Sequence, residues 1–251
     1  MHRFYVNQPI REVGERVLLS PEESLHAARV LRLKAGERVC FLDGEQLWLA
    51  ELTRVSEKET EGQVLQCLPS PEPPCRAVLW QGLPKADKLE WIVQKATELG
   101  CAEIWPVAME RSIARSDRGD RDEKKKERFN RIALEAAKQS GRARVPGVRG
   151  TLDMASALKA AREGDFSLIL VAWEEEHALP LSRAVQAFVQ EKGVPESVLL
   201  VVGPEGGISQ EEYEAFRLIG GKAVTLGKRI LRTETAGLCA LSVLWASLGE
   251  M

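Results

Sequence analysis

The larger, C-terminal part of this sequence alternates short apolar runs with longer amphipathic segments. The apolar runs, at residues 168–172, 198–202 and 223–226, have the length of strands and lack regular polar positions. Such runs are typical of parallel strands that are covered on both faces. The segments between them carry apolar residues at helical spacing, as in residues 87–99 and 123–140. The pattern therefore predicts an α/β domain built on a parallel sheet.

The N-terminal part has a different pattern and is separated by prolines. Four prolines fall within residues 69–74, where neither a helix nor a central strand can form. Before them, five short β-rich runs and a single helix, which begins at Ser20-Pro21, predict a small β-barrel. We therefore predict two domains, residues 1–70 and 71–251, joined by a linker over about 69–75.

The composition excludes several classes of protein. Five cysteines lie at long spacings without a C-x-x-C pair, and three histidines lie far apart. These spacings suggest neither a disulfide framework nor a metal site, and they favour a reducing compartment. No apolar run is long enough to span a bilayer. We therefore expect a cytoplasmic protein with no bound metal and no membrane segment.

Charge is distributed unevenly along the chain. The 35 Lys and Arg against 37 Asp and Glu give a net charge of −2, which excludes a uniformly basic coat for nucleic acid. Residues 111–149, however, hold thirteen Lys and Arg against six acids, a local excess of +7. This clustering favours a restricted basic face that binds a polyanion. The alternative is a solvated helix whose charges pair with one another.

Three loops that follow apolar strands are candidates for a ligand site. They span residues 171–176, 202–209 and 226–236, each beginning with the last residues of its strand. In open α/β sheets, ligands bind beyond the carboxyl ends of the strands, and glycine-rich loops let the backbone approach a ligand closely. The G-P-E-G-G run at 203–207 matches no phosphate-binding motif, and Glu205 would repel an anion. The loop therefore suits a neutral or cationic ligand, or else it is only a tight turn from strand to helix.

The third loop surrounds an apolar pair with charged residues. Arg229, Arg232 and Glu234 flank Ile230-Leu231 just before an apolar helical segment. Three roles for Arg232 are open: it anchors a phosphate, it stabilises developing negative charge, or it pairs with Glu234 as a structural bridge.

Two motifs in these loops resemble the signature of a known family. G-P-E-G-G-x-S-x-x-E, which begins at Gly203, and L-G-x-R-I-L-R-x-E-T-A, which begins at Leu226, are similar to motifs of the RsmE-type 16S ribosomal RNA uridine-N3 methyltransferases. These enzymes belong to the SPOUT superfamily, which uses S-adenosylmethionine. Residues 26–32, 85–100 and 136–146 also match the family's pattern. The resemblance covers nearly the whole chain.

The resemblance implies a fold and a reaction. The fold is a C-terminal SPOUT domain with a trefoil knot and an N-terminal PUA-like barrel, assembled as a homodimer. The knot does not follow from the strand pattern, because an unknotted sheet is the default. The reaction is methylation of N3 of a uridine in 16S ribosomal RNA, either free or within the small ribosomal subunit, with S-adenosylmethionine as methyl donor and no metal.

The resemblance also implies roles for particular residues. Arg232 is expected to stabilise the negative charge that arises when uridine N3 loses its proton, and Glu205 is a weaker candidate for ligand binding or proton acceptance. Glu174 is expected to bind the ribose hydroxyls of the cofactor, and no histidine is expected in the site. The remaining residues of the cofactor cradle are Gly203, Gly206, Leu226, Ile230, Leu231 and Ala236. The residues expected to hold RNA are Arg3, Arg29, Arg32, Arg142 and Arg144.

Three alternative functions remain open from the sequence. The first is a SPOUT methyltransferase that modifies the ribose 2′-O of another RNA. The second is an RNA-binding assembly protein with a vestigial pocket. The third is a nucleotide-using Rossmann enzyme, which the missing phosphate motifs disfavour.

Overall fold

The computed structural model describes residues 1–85, 87–113 and 120–251, and these divide into two compact units. The N-terminal unit comprises residues 1–72 and 137–145, and the C-terminal unit comprises the described parts of 73–136 and 146–251. The predicted domains, 1–70 and 71–251, differ from these units mainly in one segment. Residues 137–145 follow the linker in sequence but pack with the N-terminal unit.

The N-terminal unit is built on a five-stranded sheet in the order β1-β3-β4-β5-β2. Its strands are β1 (Arg3–Tyr5), β2 (Arg16–Leu18), β3 (Arg38–Leu42), β4 (Leu47–Arg54) and β5 (Glu61–Leu68). Strands β1 and β3 pair in parallel, and the other pairs are antiparallel. Alternate residues of these strands form the core, which includes Phe4, Val17, Phe41, Ala50 and Val64.

A short helix, α1 (Pro21–Leu25), precedes β3 and continues into a π-helical turn over His26–Val30. Ser20 caps α1 because its hydroxyl accepts the N–H of Glu23 at 3.2 Å, and the proline at the first helical position has no N–H to satisfy. Arg29, within the π-helical turn, and Arg32, two residues after it, are exposed.

The C-terminal unit contains a seven-stranded sheet in the order β12-β10-β11-β6-β7-β8, with β9 also on β7. Each described pairing is parallel. The strands are β6 (Arg76–Gly82), β7 (Glu103–Ala108), β8 (Gly147–Val148), β9 (Leu152–Asp153), β10 (Leu168–Ala172), β11 (Ser197–Val202) and β12 (Gly221–Val224). The helices are α2 (Lys88–Glu98), α3 (Asp120–Ser140), which ends in the N-terminal unit, α4 (Met154–Glu163), α5 (Leu181–Lys192), α6 (Gln210–Arg217) and α7 (Thr233–Ser247).

Helices cover this parallel sheet, as its apolar strands require. Strand β11 is buried along its whole length, and β6 is buried at all but its first residue. The predicted α/β class, with a small N-terminal sheet and a C-terminal parallel-sheet domain, is therefore confirmed. The trefoil knot stays a prediction. Within the described ranges, no helix combines the length and the apolar character needed to cross a membrane.

Candidate active site

A cavity of about 550 Å³ lies beyond the carboxyl ends of β10, β11 and β12. The three loops that the sequence singled out form its walls. Every residue predicted for cofactor binding or catalysis lines this cavity: Glu174, Gly203, Glu205, Gly206, Leu226, Ile230, Leu231, Arg232 and Ala236. The sequence therefore identified residues that the fold brings together from three separate loops.

The glycine-rich loop after β11 packs against the end of the neighbouring strand. A Cβ atom on Gly82, the last residue of β6, would lie 2.5 Å from the backbone nitrogen of Pro204 and 2.8 Å from the carbonyl carbon of Gly203. Real Cβ atoms essentially never approach backbone atoms this closely. Gly82 is thus required for the position of this loop, although the sequence motif did not include it.

We expect Gly82→Ala to destabilise the protein by about 1–3 kcal/mol, the usual cost of inserting a group into a packed interior. The methyl group would have to displace the Gly203–Pro204 backbone, since no flexible side chain can move aside. Urea denaturation measures the change. Gly147→Ala is the control, because the nearest atom to a Cβ there is 4.0 Å away. Equal stability of the two variants would contradict the expected clash.

A carboxylate from the first loop holds the other end of the glycine-rich loop. Glu174 Oε1 accepts the backbone N–H of Ile208 at 3.2 Å. Gly207 has φ +76°, and a Cβ on it would lie 1.7 Å from the same oxygen. The next residues form a capping box, in which Ser209 accepts the N–H of Glu212 and the Glu212 carboxylate accepts the N–H of Ser209. Glu174 therefore has a structural contact in addition to its predicted contact with the ribose.

Glu205, in the same loop, is bound by Lys85, which follows β6, and by Lys88, the first residue of α2. Its carboxylate accepts the backbone N–H of Lys85 at 3.0 Å and contacts the Lys88 ammonium at 3.1 Å. Partial burial raises the pKa of this carboxyl, but the two donors outweigh burial and bring the pKa below its ordinary value. A carboxylate stabilised in this way is a poor proton acceptor at neutral pH.

The third loop leads into α7 and carries several exposed side chains of the cavity wall. Arg232 precedes the first residue of α7 and is exposed, as is Ile230, which has 83% of its surface accessible. The sequence left open a bridge between Arg232 and Glu234. In the structure, the Glu234 carboxylate contacts the Lys88 ammonium at 3.0 Å. Burial raises the pKa of Glu234, but hydrogen bonds and the charges of Lys88 and Arg232 lower it overall, so the three roles of Arg232 stay open.

A buried hydrogen-bonded chain joins β6, α7 and the glycine-rich loop. The Gln81 amide donates to the Thr233 hydroxyl at 2.7 Å, and that hydroxyl donates to the Gly203 carbonyl at 2.7 Å. Gln81 is fully buried and Thr233 nearly so. Sequence reasoning missed both residues. The available signal was a single amide within an otherwise apolar strand, since a buried amide needs a hydrogen-bonding partner.

Sequence reasoning also missed two side chains at the cavity wall. Lys88 lines the cavity from the start of α2. His177 lines it as well, so the expectation that no histidine lies in the site is wrong. The loop after β10 turns back on itself, because the Glu176 carboxylate accepts the N–H groups of Ala178 at 2.6 Å and Leu179 at 3.0 Å. This turn keeps His177 beside the cavity.

Four of the five predicted RNA contacts are exposed side chains of the N-terminal unit. These are Arg3, Arg29, Arg32 and Arg144. Arg32 has φ +55°, an uncommon backbone conformation for a residue with a side chain, at the end of the π-helical turn. Their exposure is compatible with phosphate contacts.

The fifth predicted RNA contact, Arg142, is buried, with 4% of its surface accessible. Its guanidinium pairs with the Glu72 carboxylate, with Nε at 3.2 Å from Oε2, and its carbonyl accepts the Tyr5 hydroxyl at 2.8 Å. The Glu72 carboxylate also accepts the N–H of Arg144 at 3.0 Å. The prediction that Arg142 contacts RNA is therefore corrected. Its guanidinium forms an internal ion pair with Glu72, which holds residues 137–145 in the N-terminal unit.

Some cations of residues 111–149 are paired with acids, and others are exposed, so each of the two interpretations of this basic segment holds in part. Several of its cations pair with acids inside their own unit: Arg128 with Glu90 at 2.7 Å, Lys138 with Glu23 at 2.7 Å and Arg149 with Glu103 at 3.3 Å. Others are exposed: Arg121, Lys124, Arg131 and Arg144. Arg115 and Arg118 lie outside the described residues. Part of the excess positive charge is thus compensated internally.

The described residues contain no group of three or more His, Cys, Asp and Glu side chains that could hold a metal ion. The polar groups of the cavity include two carboxylates, cationic side chains, the His177 imidazole, two threonine hydroxyls and backbone amides. The site thus has the character of an organic-ligand pocket, with apolar walls and a few polar groups.

Comparisons with known proteins agree with this geometry. The family model of the RNA methyltransferase domain matches residues 71–245, and that of the RNA methyltransferase PUA domain matches residues 19–65. The chain is 36% identical over 249 residues to ribosomal RNA small subunit methyltransferase E of Bacillus subtilis, covering 97% of this chain and 96% of that protein. It is 33% identical over 243 residues to the protein of the same name from Mycobacterium bovis, covering 95% and 88%.

A solved structure is similar over the same length. Ribosomal RNA small subunit methyltransferase E of Neisseria gonorrhoeae, bound to S-adenosyl methionine, superposes with a TM-score of 0.79 at 30% identity. The match covers 98% of this chain and 97% of that one. The similarity therefore extends through both units of the fold.

Proposed function

We propose, because the chain belongs to the family of ribosomal RNA small subunit methyltransferase E, that it methylates N3 of a uridine in 16S ribosomal RNA. S-adenosylmethionine is the proposed methyl donor. The observation that carries the proposal is the convergence of all the predicted cofactor and catalytic residues on one cavity. This cavity lies at the carboxyl edge of a parallel sheet, where α/β enzymes bind their ligands.

The residues of the cavity suit this methyl donor. Its volume of about 550 Å³ is within the usual range for small-molecule sites. Leu226, Ile230 and Leu231 offer an apolar wall, and the loop at 203–207 offers backbone groups to the polar edges of an adenosine. The carboxylate of Glu174 suits a ribose and, like Glu205, suits a cationic ligand better than an anionic one. When bound, S-adenosylmethionine supplies a methyl group on a positively charged sulfur.

The chain's own residues must make uridine N3 a nucleophile. Loss of the N3 proton spreads negative charge over N3, O2 and O4 of the base. Arg232 lines the cavity, and its guanidinium would stabilise this charge. Glu205 is already bound by Lys85 and Lys88, so we assign it to the support of the loop rather than to proton transfer. Alignment of the base with the methyl group supplies the remaining advantage.

The RNA must present an unpaired or flipped uridine, because N3 lies on the pairing edge of the base. In this proposal Arg3, Arg29, Arg32 and Arg144 hold the RNA backbone. The proposal also includes a homodimer and a C-terminal knot, as the family resemblance implies. The exposure of Ile230 at the cavity mouth is consistent with a second copy covering it. Modification of ribosomal RNA further favours a cytoplasmic location.

Nucleoside analysis of 16S ribosomal RNA from cells with and without this protein tests the proposal. We expect N3-methyluridine to disappear from one site without the protein and to return when purified protein and S-adenosylmethionine act on unmodified small subunits. Loss of a 2′-O-methyl nucleoside instead would support the first alternative. Unchanged RNA, together with no S-adenosylmethionine binding in calorimetry, would support a non-catalytic assembly protein.

A further inference from the structure

We infer that Lys88 is a positioning residue that holds two walls of the cofactor cavity together. The motif at 85–100 is part of the family resemblance, but the proposed reaction gives it no role. Lys88, at the first position of α2, is the one member of this motif that lines the cavity among the described residues. The inference rests on the proposed function only in taking S-adenosylmethionine as the ligand of this cavity.

The Lys88 ammonium lies between two carboxylates that belong to different walls. Its Nζ is 3.1 Å from Glu205 Oε1 and 3.0 Å from Glu234 Oε2. The three side chains are 29%, 23% and 19% exposed, so water screens these contacts less than it screens a surface ion pair. The pKa of Lys88 is raised, first by Glu234 and then by Glu205, which keeps the ammonium charged.

The two carboxylates fix the position of Lys88 relative to the cavity. Glu205 belongs to the glycine-rich loop after β11, and Glu234 lies in the first turn of α7, two residues after Arg232. Lys85 strengthens the first connection, since its backbone N–H donates to the Glu205 carboxylate at 3.0 Å. Lys88, at the start of α2, thus contacts both walls, and Lys85 contacts the glycine-rich loop only. The chain from Gln81 to Gly203 joins the same walls from inside.

Removing the Lys88 charge would leave two carboxylates facing one another. Their repulsion would favour separation of the glycine-rich loop from α7, and the cavity would lose the shape that both walls define. A direct catalytic role is less favoured, because both contacts of the ammonium are with the protein's own carboxylates. A positioning role predicts weaker cofactor binding with little change in the chemical step at saturating cofactor.

Calorimetry with S-adenosylmethionine and single-turnover kinetics on unmodified small subunits test this inference. For Lys88→Met we expect the Kd for S-adenosylmethionine to rise about tenfold, the effect of losing a charge-assisted hydrogen bond, and the saturated rate to stay within about threefold. Lys88→Arg keeps the charge and should recover most of the affinity. Lys95→Met is the matched control, because Lys95 lies on the same helix and pairs with Glu98, one turn along that helix, at 2.8 Å.

Two results would overturn the inference: an unchanged Kd in Lys88→Met, or a fall in the saturated rate well beyond threefold, which would place Lys88 at the substrate instead. Glu234→Gln provides a second variant if Lys88→Met does not fold, and it should raise Kd in the same direction. Effects of the two substitutions should not add, since they break one bridge. Failure of the wild-type protein to bind S-adenosylmethionine would contradict the proposed function itself, whereas normal wild-type binding with no variant effect contradicts only the role of Lys88.

Discussion

Arg232→Ala is expected to lower the rate of methyl transfer by about 100- to 1000-fold at saturating cofactor, the usual effect of removing one group that stabilises developing negative charge. The affinity for S-adenosylmethionine should change by less than about threefold. Arg232 is exposed at the cavity wall, beside the start of α7, so its side chain can be removed without opening a gap in the core. Single-turnover methylation of unmodified small subunits measures the rate, and calorimetry measures the affinity.

Two comparisons separate catalysis from a general loss of positive charge. Arg217→Ala removes an exposed arginine that pairs with Glu214 on α6, and it should leave the rate unchanged. Arg232→Lys keeps the charge but loses the planar pair of donors, so its rate should fall between those of the wild type and Arg232→Ala. Equal rates for the wild type and Arg232→Ala would refute the catalytic role.

Arg142→Met is expected to lower the free energy of unfolding by about 3–5 kcal/mol, the cost of breaking one side of a buried ion pair. Methionine retains much of the aliphatic packing, so the loss arises mainly from the Glu72 carboxylate, whose side chain is only 13% exposed. Urea denaturation measures the change. Arg144→Met, two residues away and exposed, should change stability by less than about 0.5 kcal/mol.

The same pair offers a stricter test. Replacing both partners, Arg142→Met with Glu72→Gln, should recover a large part of the lost stability, because no charge is left buried and the amide oxygen can still accept the N–H of Arg144. RNA binding by this double variant should resemble that of the wild type if Arg142 has only an internal role. A stable Arg142→Met variant with weakened RNA binding would restore the original interpretation of this residue.

The local patterns of the sequence predicted the elements and the candidate site well. Apolar runs located β10, β11 and β12, and Ser209 with Glu212 predicted the start of α6. The strand ends then placed the three loops correctly, because carboxyl ends of parallel strands lie on one edge of a sheet. These inferences needed only neighbouring residues and one rule of sheet topology.

Apart from His177, which a local turn places, the missed features depend on partners that are distant in sequence. Gln81 meets Thr233 across 152 residues, and Lys88 meets Glu205 across 117. Nothing in the local pattern near Arg142 reveals that Glu72 neutralises it, so an arginine in a basic segment was assigned to RNA. Spacing along the chain identifies which residues share an element, whereas the pairing of charges depends on the tertiary fold.

The chain of hydrogen bonds from Gln81 through Thr233 to Gly203 has a consequence for the order of folding. The cavity forms only when β6 and α7 are both in place. The contact between them joins residues far apart in sequence, and such contacts generally form slowly. During synthesis, the sheet's central strands can pair before α7 has emerged, yet the ligand site is complete only afterwards. Cofactor binding should consequently stabilise the finished domain, through mass action, without assisting its earlier folding steps. The ligand site is therefore expected to form only when α7 packs against β6 and the glycine-rich loop.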